Sequence, residues 1–517
     1  MSPIDILWVD DEIDLLKPHI LFLESKGYQV RACNNGREAI DIVKSERFEV
    51  VLLDENMPGL NGLETLTELK QLRPNLPVIM ITRNEEEYIM EEAIGSKITD
   101  YLIKPVNPNQ ILLSLKKILQ HKNLVAEKTI QNYQQEFRKI ALSLNELNTH
   151  QEWADFYEKM IYWETELEQL EDNSMLEIFE TQMREANHLF SKFVENNYPL
   201  WIEDPSEGPT LSHQLLGKEV FPRIREQKPT LFVVIDNLRL DQWKIIAQSL
   251  TTLYNIESEK NYYSLLPTAT QYARNALFSG MTPLEMSKNY LRWWRNDTEE
   301  GGKNLFEKEF FEAHLKRKNR TIKWSYHKIK NLSEGKQLVK TFQNHASENL
   351  TIVVYNFVDM ISHAKTEMEI IKELAADNKA YRSLTRSWFD NSPLLEIIQK
   401  AASLDFNLLL TTDHGTVNVQ IPSNIVGEKE TSQNLRYKTG RGLTYEAKQV
   451  MVAKDPERIG LPRLSLNHQF VFAKEDAYFV YPQNFNHYAK LFENSFQHGG
   501  ISLEEMIIPF VALTPRS

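Results

Sequence analysis

The chain of 517 residues contains a single cysteine, Cys33. One thiol excludes internal disulfide bonds and cysteine-rich metal sites, and it fits a reducing compartment. The sequence also lacks an apolar run near the ~20 residues needed to cross a bilayer, and "MSPIDILWVDDE" has no basic segment ahead of a long apolar one. We therefore expect a soluble, cytoplasmic protein without membrane insertion, in which any metal has aspartate, histidine or hydroxyl ligands.

Positively charged residues are fewer than negatively charged ones. The chain has 59 lysines and arginines and 72 acidic residues, so its net charge is −13. This balance argues against a broad basic surface for duplex DNA, although it permits a local basic pocket. The chain also lacks a recognition-helix signature, which disfavours a DNA-binding transcription factor. Its length indicates about two to four domains.

Short apolar strands alternate with helical stretches in residues 1–121, a pattern that predicts a doubly wound α/β domain. The strands read "IDILWV", "FEVVLLD", "LPVIMIT" and "DYLIKP". Their carboxyl ends meet at one edge of such a sheet, so the polar residues at those ends should converge. Those residues are Asp10, Asp11, Asp54, Thr82 and Lys104.

Adjacent carboxylates at this edge predict a Mg²⁺ site. Carboxylates repel one another unless a cation neutralises them, and Mg²⁺ prefers oxygen ligands, so Asp10, Asp11 and Asp54 are candidate ligands together with the backbone carbonyl of Asn56. The pair Lys104-Pro105 suggests a cis peptide bond.

Asp54 is then the predicted nucleophile toward a phosphoryl donor. Lys104 pairs with the incoming phosphate oxygens, and Thr82 hydrogen-bonds the phosphate once it is attached. The segment resembles the receiver domain of two-component response regulators, which implies phosphorylation of Asp54 by a sensor histidine kinase. By the same resemblance Thr82 and Tyr101 are the switch residues. Arg83 departs from the small residue usual in the family, and this leaves the lifetime of the acyl phosphate open.

The middle segment, residues 122–205, has the apolar spacing of helices. Three runs stepping by three and four predict three helices in an antiparallel bundle. Capping boxes at Thr149 with Glu152 and at Ser174 with Glu177 mark two helix starts. The stretch 196–210, "NNYPLWIEDPSEGPT", is the predicted linker because proline and glycine cluster there. The bundle is expected to relay the state of the receiver or to form a dimer contact.

In residues 206–517, apolar strands are again followed by side chains that can bind a metal. "PTLFVVID" ends in Asp236, "LLLTTDHG" carries Asp413 and His414, and "LTIVVYNFVDMISHA" carries Asp359 and His363. The last pair is spaced by four residues and shares a helical face. With His498 these six residues suit two ions of Zn²⁺ or Mn²⁺, which can clamp a phosphoryl group. The alternative for an isolated Asp-His-Gly is a capped turn.

A nucleophile comes from "LLPTATQYARNALFSG", where Thr270 opens a helical run. A hydroxyl at a helix amino terminus beside a metal loses its proton more easily. Thr268 is the rival, two residues away. This set of residues resembles the alkaline phosphatase superfamily, with "HGGISLEEMIIPF" close to its closing motif. That resemblance implies an α/β fold, and it favours Thr270 as the nucleophile.

The resemblance also implies two ligand groups. Asp359, His363 and His498 would hold one metal, and the other would be held by Asp236, Thr270, Asp413 and His414. The "PTAT" sequence looks like the nucleotide pyrophosphatase and phosphodiesterase branch of the superfamily, and its surroundings are similar to the PglZ domain.

A receiver, a helical bundle and a PglZ-like domain together resemble the PorX-type response regulators associated with type IX secretion. The resemblance implies a zinc-dependent phosphodiesterase acting on nucleotides or short oligonucleotides, and a dimer promoted by phosphorylation. It leaves open whether phosphorylation activates or inhibits hydrolysis. The alternative is a regulator without catalysis whose phosphatase-like domain binds a nucleotide or a transcription protein such as a sigma factor.

Two aromatic and basic segments are candidates for substrate contact. They are "LRWWRN", residues 291–296, and "NLRYKTGRG", residues 434–442, which contains Arg436, Tyr437, Lys438 and Arg441. Aromatic rings stack on bases and basic side chains hold phosphates. Ordinary packing of these side chains is an equally good interpretation.

Overall fold

The computed structural model describes residues 4–83, 98–170, 173–225, 227–356, 375, 377–427, 432 and 434–516. The chain separates into two compact units, residues 1–134 and 135–517. Among the described helices none has the length and apolar character needed to cross a membrane.

The first unit contains a parallel five-stranded sheet in the order β2-β1-β3-β4-β5. Its strands are β1 (Ile4–Val9), β2 (Tyr28–Cys33), β3 (Val50–Asp54), β4 (Val78–Thr82) and β5 (Asp100–Ile103). Its helices are α1 (Lys17–Glu24), α2 (Gly36–Ser45), α3 (Gly62–Leu72) and the beginning of α4 (Pro108–Leu144). Two buried apolar clusters lie on the two faces of the sheet, which confirms the doubly wound prediction.

Strand β2 was absent from the sequence prediction. It reads "YQVRAC" and lies at the edge of the sheet, where only its first and last residues are buried. An edge strand with polar residues on its exposed positions gives a weak apolar signal.

Helix α4 runs for 37 residues through the predicted domain boundary after residue 121. Its last turns contact the middle helices α5 (His150–Leu167) and α6 (Ser174–Glu203), where Gln182 Nε2 donates to the carbonyl of Phe137 at 3.1 Å. Trp153, near the start of α5, packs against Phe190, in the second half of α6, with ring centroids 5.4 Å apart. Because only residues 168–173 join the end of α5 to the start of α6, a contact this far from the connection on both helices makes them antiparallel.

One of the two predicted capping boxes is present. Thr149 accepts the backbone N–H of Glu152 at 3.2 Å, and the Glu152 carboxylate accepts that of Thr149 at 2.9 Å. The box predicted at Ser174 is wrong: the cap residue is Asn173, without a side-chain hydrogen bond, and Ser174 is already helical.

The predicted linker at residues 196–210 is also wrong in its first half, because α6 continues through Pro199 to Glu203. Tyr198 and Trp201 in this stretch are buried. The Tyr198 hydroxyl accepts the backbone N–H of Leu266 at 2.9 Å, and Trp201 packs edge-on against Tyr263 at 5.6 Å. Tyr198 precedes Pro199 and Trp201 follows it, so burial of these two large rings stabilises the helix on both sides of the proline.

The second unit is built on a six-stranded sheet in the order β7-β19-β10-β6-β9-β8. Its strands are β6 (Thr230–Ile235), β7 (Tyr254–Tyr263), β8 (Trp324–Ile329), β9 (Leu350–Tyr355), β10 (Asn407–Thr411) and β19 (Ile507–Pro515). Strands β8, β9, β6 and β10 are mutually parallel, whereas β19 is antiparallel to β10 and β7. All six residues of β6 and of β9 are buried, as expected for parallel strands inside a sheet.

Helices and small sheets surround this sheet. The helices are α7 (Ser212–Leu215), α8 (Leu240–Leu250), α9 (Thr270–Ser279), α10 (Pro283–Asn289), α11 (Glu307–Arg317), α12 (Leu332–Thr341), α13 (Asn378–Asp390), α14 (Pro393–Ser403), α15 (Phe485–Phe492) and α16 (Leu503–Met506). The short strands are β11 (Val417–Asn418), β12 (Ile421–Val426), β13 (Tyr437–Gly440), β14 (Thr444–Tyr445), β15 (Val450–Ala453), β16 (Gln469–Ala473), β17 (Ala477–Val480) and β18 (Phe496–Gln497).

We predict that Trp201→Ala lowers the stability of the second unit by about 3–5 kcal/mol, because it removes a buried ring from a packed cluster. The neighbouring Leu200 is 53% exposed, so Leu200→Ala is the matched control and should change stability by less than about 0.5 kcal/mol. Denaturant unfolding of the two variants measures the difference. Equal effects would show that the end of α6 is not anchored.

Candidate functional site

The carboxyl ends of β1, β3 and β5 bring together the predicted phosphoryl-accepting residues. Asp10, Asp11 and Asp54 each place one carboxylate oxygen within 4.8 Å of the others. Lys104 Nζ lies 2.9 Å from Asp10 Oδ2 and 2.8 Å from Asp54 Oδ1. Burial raises the pKa of Asp54, and the hydrogen bond from Lys104 opposes that rise. One lysine among three carboxylates leaves negative charge that suits a Mg²⁺ ion.

The switch residues lie around this cluster. The Thr82 hydroxyl donates to the Glu55 carboxylate, and Tyr101 is 40% exposed on β5. Arg83 Nη2 pairs with Glu12 Oε2 at 3.0 Å, and both side chains are exposed. The unusual arginine therefore has a partner beside the site. The bond Lys104–Pro105 is cis, as expected.

Asn56 is exposed, two residues beyond Asp54. Sequence reasoning missed Gly62, whose backbone approaches this loop closely: a Cβ there would lie 2.4 Å from the carbonyl oxygen of Asp54. The capping box of Asn61 with Glu64 marks the start of α3 in the sequence, but it carries no signal of this close approach.

A second cluster lies at the carboxyl ends of β6 and β10. Asp236 follows β6, and Asp413 and His414 follow β10; all three are buried and offer ligand atoms within 4.8 Å of one another. Thr270 is the first residue of α9, with its Oγ1 3.0 Å from His414 Nε2 and 3.3 Å from Asp236 Oδ1. The structure thus brings four of the predicted residues into one group.

Hydrogen bonds fix the tautomers of the two histidines at this site. His414 Nδ1 lies 3.0 Å from the carbonyl of Gly415, and His498 Nδ1 lies 3.1 Å from the carbonyl of Thr268. A carbonyl only accepts, so each Nδ1 carries the proton and Nε2 keeps its lone pair in the neutral ring. The rings stack with centroids 4.3 Å apart. This is the usual arrangement of metal-binding histidines.

The hydrogen-bond partners of the Asp413 carboxylate indicate whether this site suits a metal ion. Its Oδ1 accepts the backbone N–H groups of Asn237 and His414, each at 3.2 Å. Its Oδ2 is buried and finds no hydrogen-bond donor among the described residues, and His414 Nε2 and Arg274 Nη1 lie 3.7 Å away. A buried carboxylate oxygen without a donor is costly unless a cation binds it, so the residues fit a divalent metal.

Arg274 was missed by sequence reasoning. It is buried, with Nη1 2.6 Å from Asp236 Oδ2 and Nε 2.7 Å from Glu307 Oε1. Burial opposes the charged form, but the carboxylates of Asp236 and Glu307 raise the pKa of Arg274 well above its ordinary value. The available signal was its spacing of four residues from Thr270, which places both on one face of α9.

The rival threonine has a structural role. Thr268 is fully buried, its hydroxyl donates to the carbonyl of Gly500 at 2.9 Å, and it accepts the N–H of Gly499 at 3.0 Å. Its own carbonyl accepts from His498. Thr268 therefore holds the segment that carries His498, and it is Thr270 whose hydroxyl lies beside Asp236 and His414.

Asp359 and His363 lie outside the described residues. The described strand β9 ends at Tyr355, parallel to β6. Their assignment to a second ligand group remains the prediction made from the sequence.

Three of the four candidate substrate contacts are buried with partners inside the protein. Arg436 forms a buried ion pair with Glu505, with Nη2 2.6 Å from Oε2. The Tyr437 hydroxyl donates to Asp297 Oδ1 at 2.9 Å. Lys438 Nζ donates to the carbonyl of Ser432 at 2.8 Å, and burial lowers its pKa to about 8. These contacts favour the packing interpretation for all three side chains.

The fourth candidate, Arg441, is exposed and lines a cavity of about 220 Å³. Tyr272, two residues after Thr270, lines the same cavity, as do Asp297 and His468. In the segment 291–296, Trp294 is buried and its Nε1 donates to Asn296 at 2.9 Å, which favours packing. Asn296, Thr439 and Gly440 of the two predicted segments line this cavity as well, so it is the space beside which the predicted contacts meet.

Comparisons with protein families divide the chain into three. A model of the BREX system PglZ alkaline phosphatase-like domain matches residues 215–513, more than half of the chain. A model of the PorX response regulator linker domain matches residues 123–202, and a response regulator receiver model matches residues 6–116.

Individual relatives match the receiver alone. The transcriptional regulatory protein ZraR of Escherichia coli K12 is 36% identical over 126 residues, covering 24% of this chain and 29% of that protein. A CpxR homolog of Haemophilus influenzae is 38% identical over 116 residues, covering 22% of this chain and 49% of that protein. The chain thus spans half or less of the length of these curated relatives.

Among solved structures, a CheY-like receiver domain of Methanospirillum hungatei is 30% identical, with a TM-score of 0.23 over 24% of this chain and 98% of that one. The chemotaxis protein CheY4 of Vibrio cholerae is 28% identical, with a TM-score of 0.22 over 23% and 99%.

Proposed function

Because the chain belongs to the PglZ alkaline phosphatase-like family and joins that domain to a receiver and a PorX linker domain, we propose that it is a response regulator whose receiver controls a zinc-dependent phosphodiesterase. The observation that carries the proposal is the position of the Thr270 hydroxyl, 3.0 Å from His414 Nε2 and 3.3 Å from Asp236 Oδ1. Nucleotides or short oligonucleotides are the proposed substrates, on the resemblance of "PTAT" to the diesterase branch.

In the proposed reaction Thr270 Oγ1 attacks phosphorus. The bond from Oγ1 to phosphorus forms, the bond to the leaving alcohol oxygen breaks, and water then hydrolyses the phosphothreonine. Asp236 Oδ1 and His414 Nε2, the atoms nearest Thr270 Oγ1, are proposed zinc ligands, so the hydroxyl proton would pass to water, and the leaving alcohol oxygen would take a proton from water. Thr270 begins α9, so the positive end of the helix dipole favours its ionised form.

Two groups of residues would hold the zinc ions. Asp236, Asp413, His414 and the Thr270 oxygen form one group. In support, Asp413 Oδ2 has no hydrogen-bond donor in the part of the chain that the structure describes. His498 belongs to the other, with Asp359 and His363 by family likeness. Bound zinc, or manganese, would supply positive charge that stabilises the developing negative charge on the phosphoryl oxygens.

The receiver supplies the proposed control. A sensor histidine kinase would phosphorylate Asp54, and the phosphate would draw the Thr82 hydroxyl away from Glu55 and let Tyr101 follow. A role in type IX secretion, and a sigma factor as partner, rest on the PorX-type likeness alone.

We expect the purified protein to bind about two equivalents of Zn²⁺, because the ligand types suit a dinuclear site. The double variant His363→Ala with His498→Ala should lose about one equivalent. Metal content is measured by elemental analysis after dialysis against a weak chelator. Full occupancy in the double variant would show that the second ligand group is assigned wrongly.

Thr270→Ala should lower the rate of phosphodiester hydrolysis by several orders of magnitude, because it removes the covalent nucleophile while the carboxylates and histidines remain. Nitrophenyl esters of nucleotides and short oligonucleotides are the substrates to assay. Thr268→Val is the matched control, since it removes the other threonine hydroxyl and keeps the side chain's volume.

Zinc content of both threonine variants separates a chemical effect from loss of the site. Full activity in Thr270→Ala would exclude it as the nucleophile. No hydrolysis by the zinc-loaded wild-type protein would favour the regulator without catalysis.

Phosphorylation of Asp54 should shift the protein toward a dimer, since the added charge rearranges the face around Tyr101. Light scattering with and without beryllofluoride measures the mass, with Asp54→Ala as the control that cannot accept the phosphate mimic. A wild-type monomer that is unchanged by the mimic, or a response that survives in Asp54→Ala, would contradict the coupling.

A further inference from the structure

Arg274 is a buried cation at the edge of the proposed metal site, and it has carboxylates on two sides. Its Nη1 contacts Asp236 Oδ2 at 2.6 Å and lies 3.7 Å from Asp413 Oδ2. Its Nε contacts Glu307 Oε1 at 2.7 Å. The guanidinium therefore lies between the proposed metal ligands and a carboxylate that has no part in the site.

Glu307 is itself held from its far side. Lys328 Nζ lies 3.0 Å from its Oε2, and the Tyr326 hydroxyl donates to the same oxygen. Glu307 is fixed at the start of α11 and Lys328 lies on β8, so the chain from Lys328 to Asp236 alternates positive and negative charge across separate elements. Such a buried alternation holds each member in position.

The contacts of Asp236 show which of its oxygens is engaged. Arg274 binds Oδ2, whereas Oδ1 faces Thr270 and His414. A guanidinium on one carboxylate oxygen leaves the other aimed at the position that a metal would share with Asp413 and His414. Arg274 therefore does not need to move for a metal to bind.

The balance of charge in this group is unfavourable without a further cation. Asp236, Asp413 and Glu307 carry three negative charges, and Arg274 and Lys328 carry two positive ones. Arg274 compensates part of the negative charge before a metal arrives. Once a divalent ion is bound, the same guanidinium repels it.

We propose that Arg274 is a resident counter-cation: it keeps the emptied metal site assembled and lowers the zinc affinity of that site. The inference rests on the zinc site of the proposed function, and it makes Arg274 a positioning residue that contacts neither substrate nor metal. As a consequence, removing the positive charge of Arg274 should raise the zinc affinity, and removing the negative charge of Glu307 should lower it.

The experiment removes each charge of the Arg274–Glu307 pair in turn. Arg274→Met removes the positive charge, so zinc should bind about tenfold more tightly or better, whereas the metal-free protein should melt at a lower temperature. Glu307→Gln removes the negative charge and keeps the shape, so zinc should bind about tenfold more weakly. Zinc affinity is measured by competition with a chromophoric chelator, and the equivalent lost in Asp236→Asn identifies the site.

Arg382→Met is the matched control. Arg382 is also buried and paired, with Nη1 2.7 Å from Asp241 Oδ2 and 3.0 Å from Glu164 Oε2, and neither of these acids is a proposed ligand. It should lose stability like Arg274→Met and keep the wild-type zinc affinity. A change in zinc affinity there as large as in Arg274→Met would overturn the inference.

The direction in which the zinc affinity of Arg274→Met changes separates the possible outcomes. If Arg274→Met binds zinc more weakly, or with unchanged affinity, the residue only orients Asp236 or only stabilises the fold, and the inference is overturned. If that variant folds only in the presence of zinc, its apparent affinity includes the free energy of folding, and Glu307→Gln decides: a zinc affinity below the wild-type value supports the inference, and one at or above it overturns the inference. If it folds under neither condition, Glu307→Gln decides, and an affinity at or above the wild-type value overturns the inference. A wild-type protein without zinc affinity would instead overturn the proposed metal site.

Discussion

Carboxylates crowded at the carboxyl ends of parallel strands are the constraint on which both sites depend. In the first unit Asp10 and Asp54 are buried and share one lysine, and in the second Asp236 and Asp413 are buried beside one arginine. Desolvated carboxylates destabilise a fold unless cations compensate them, and in both sites the carboxylates outnumber the basic side chains that contact them among the described residues. Binding of the proposed metal ions would therefore be coupled to the arrangement of the surrounding strands and loops.

The middle helices are tied to the phosphatase-like part by buried charge. Arg382 on α13 pairs with Glu164 and Glu168 at the end of α5 and with Asp241 on α8. Asp241 also binds Arg239, three residues after Asp236. Such a network is broken at a large cost when one partner is removed, so it fixes α5 against the start of α8. The middle helices are thereby anchored to the phosphatase-like part without a contact to the proposed ligands among these pairs.

Family likeness and geometry support different parts of the proposed function. The three family matches identify a receiver, a linker and a phosphatase-like domain. The geometry adds that the Thr270 hydroxyl lies beside two proposed metal ligands, Asp236 and His414, and that Thr268 is bound to the segment carrying His498. Substrate choice depends on exposed surfaces. Three side chains that the sequence offered for substrate contact, Arg436, Tyr437 and Lys438, are buried and bind partners inside the domain.

The sequence alone determined the strands that end in acids and the residues that gather there, because parallel strands place their carboxyl ends at one edge whatever the details of packing. It determined Asp54, Asp236 and the pair Asp413-His414 in this way, whereas Thr270 was predicted from its place at the start of a helix. Tertiary structure decided what no local pattern encodes: the helix through Pro199, which depends on buried rings that contact distant strands, and the burial of Arg436 against Glu505. It also decided the position of Arg274 between Asp236 and Glu307, because long-range ion pairs form between segments whose spacing in sequence carries no signal.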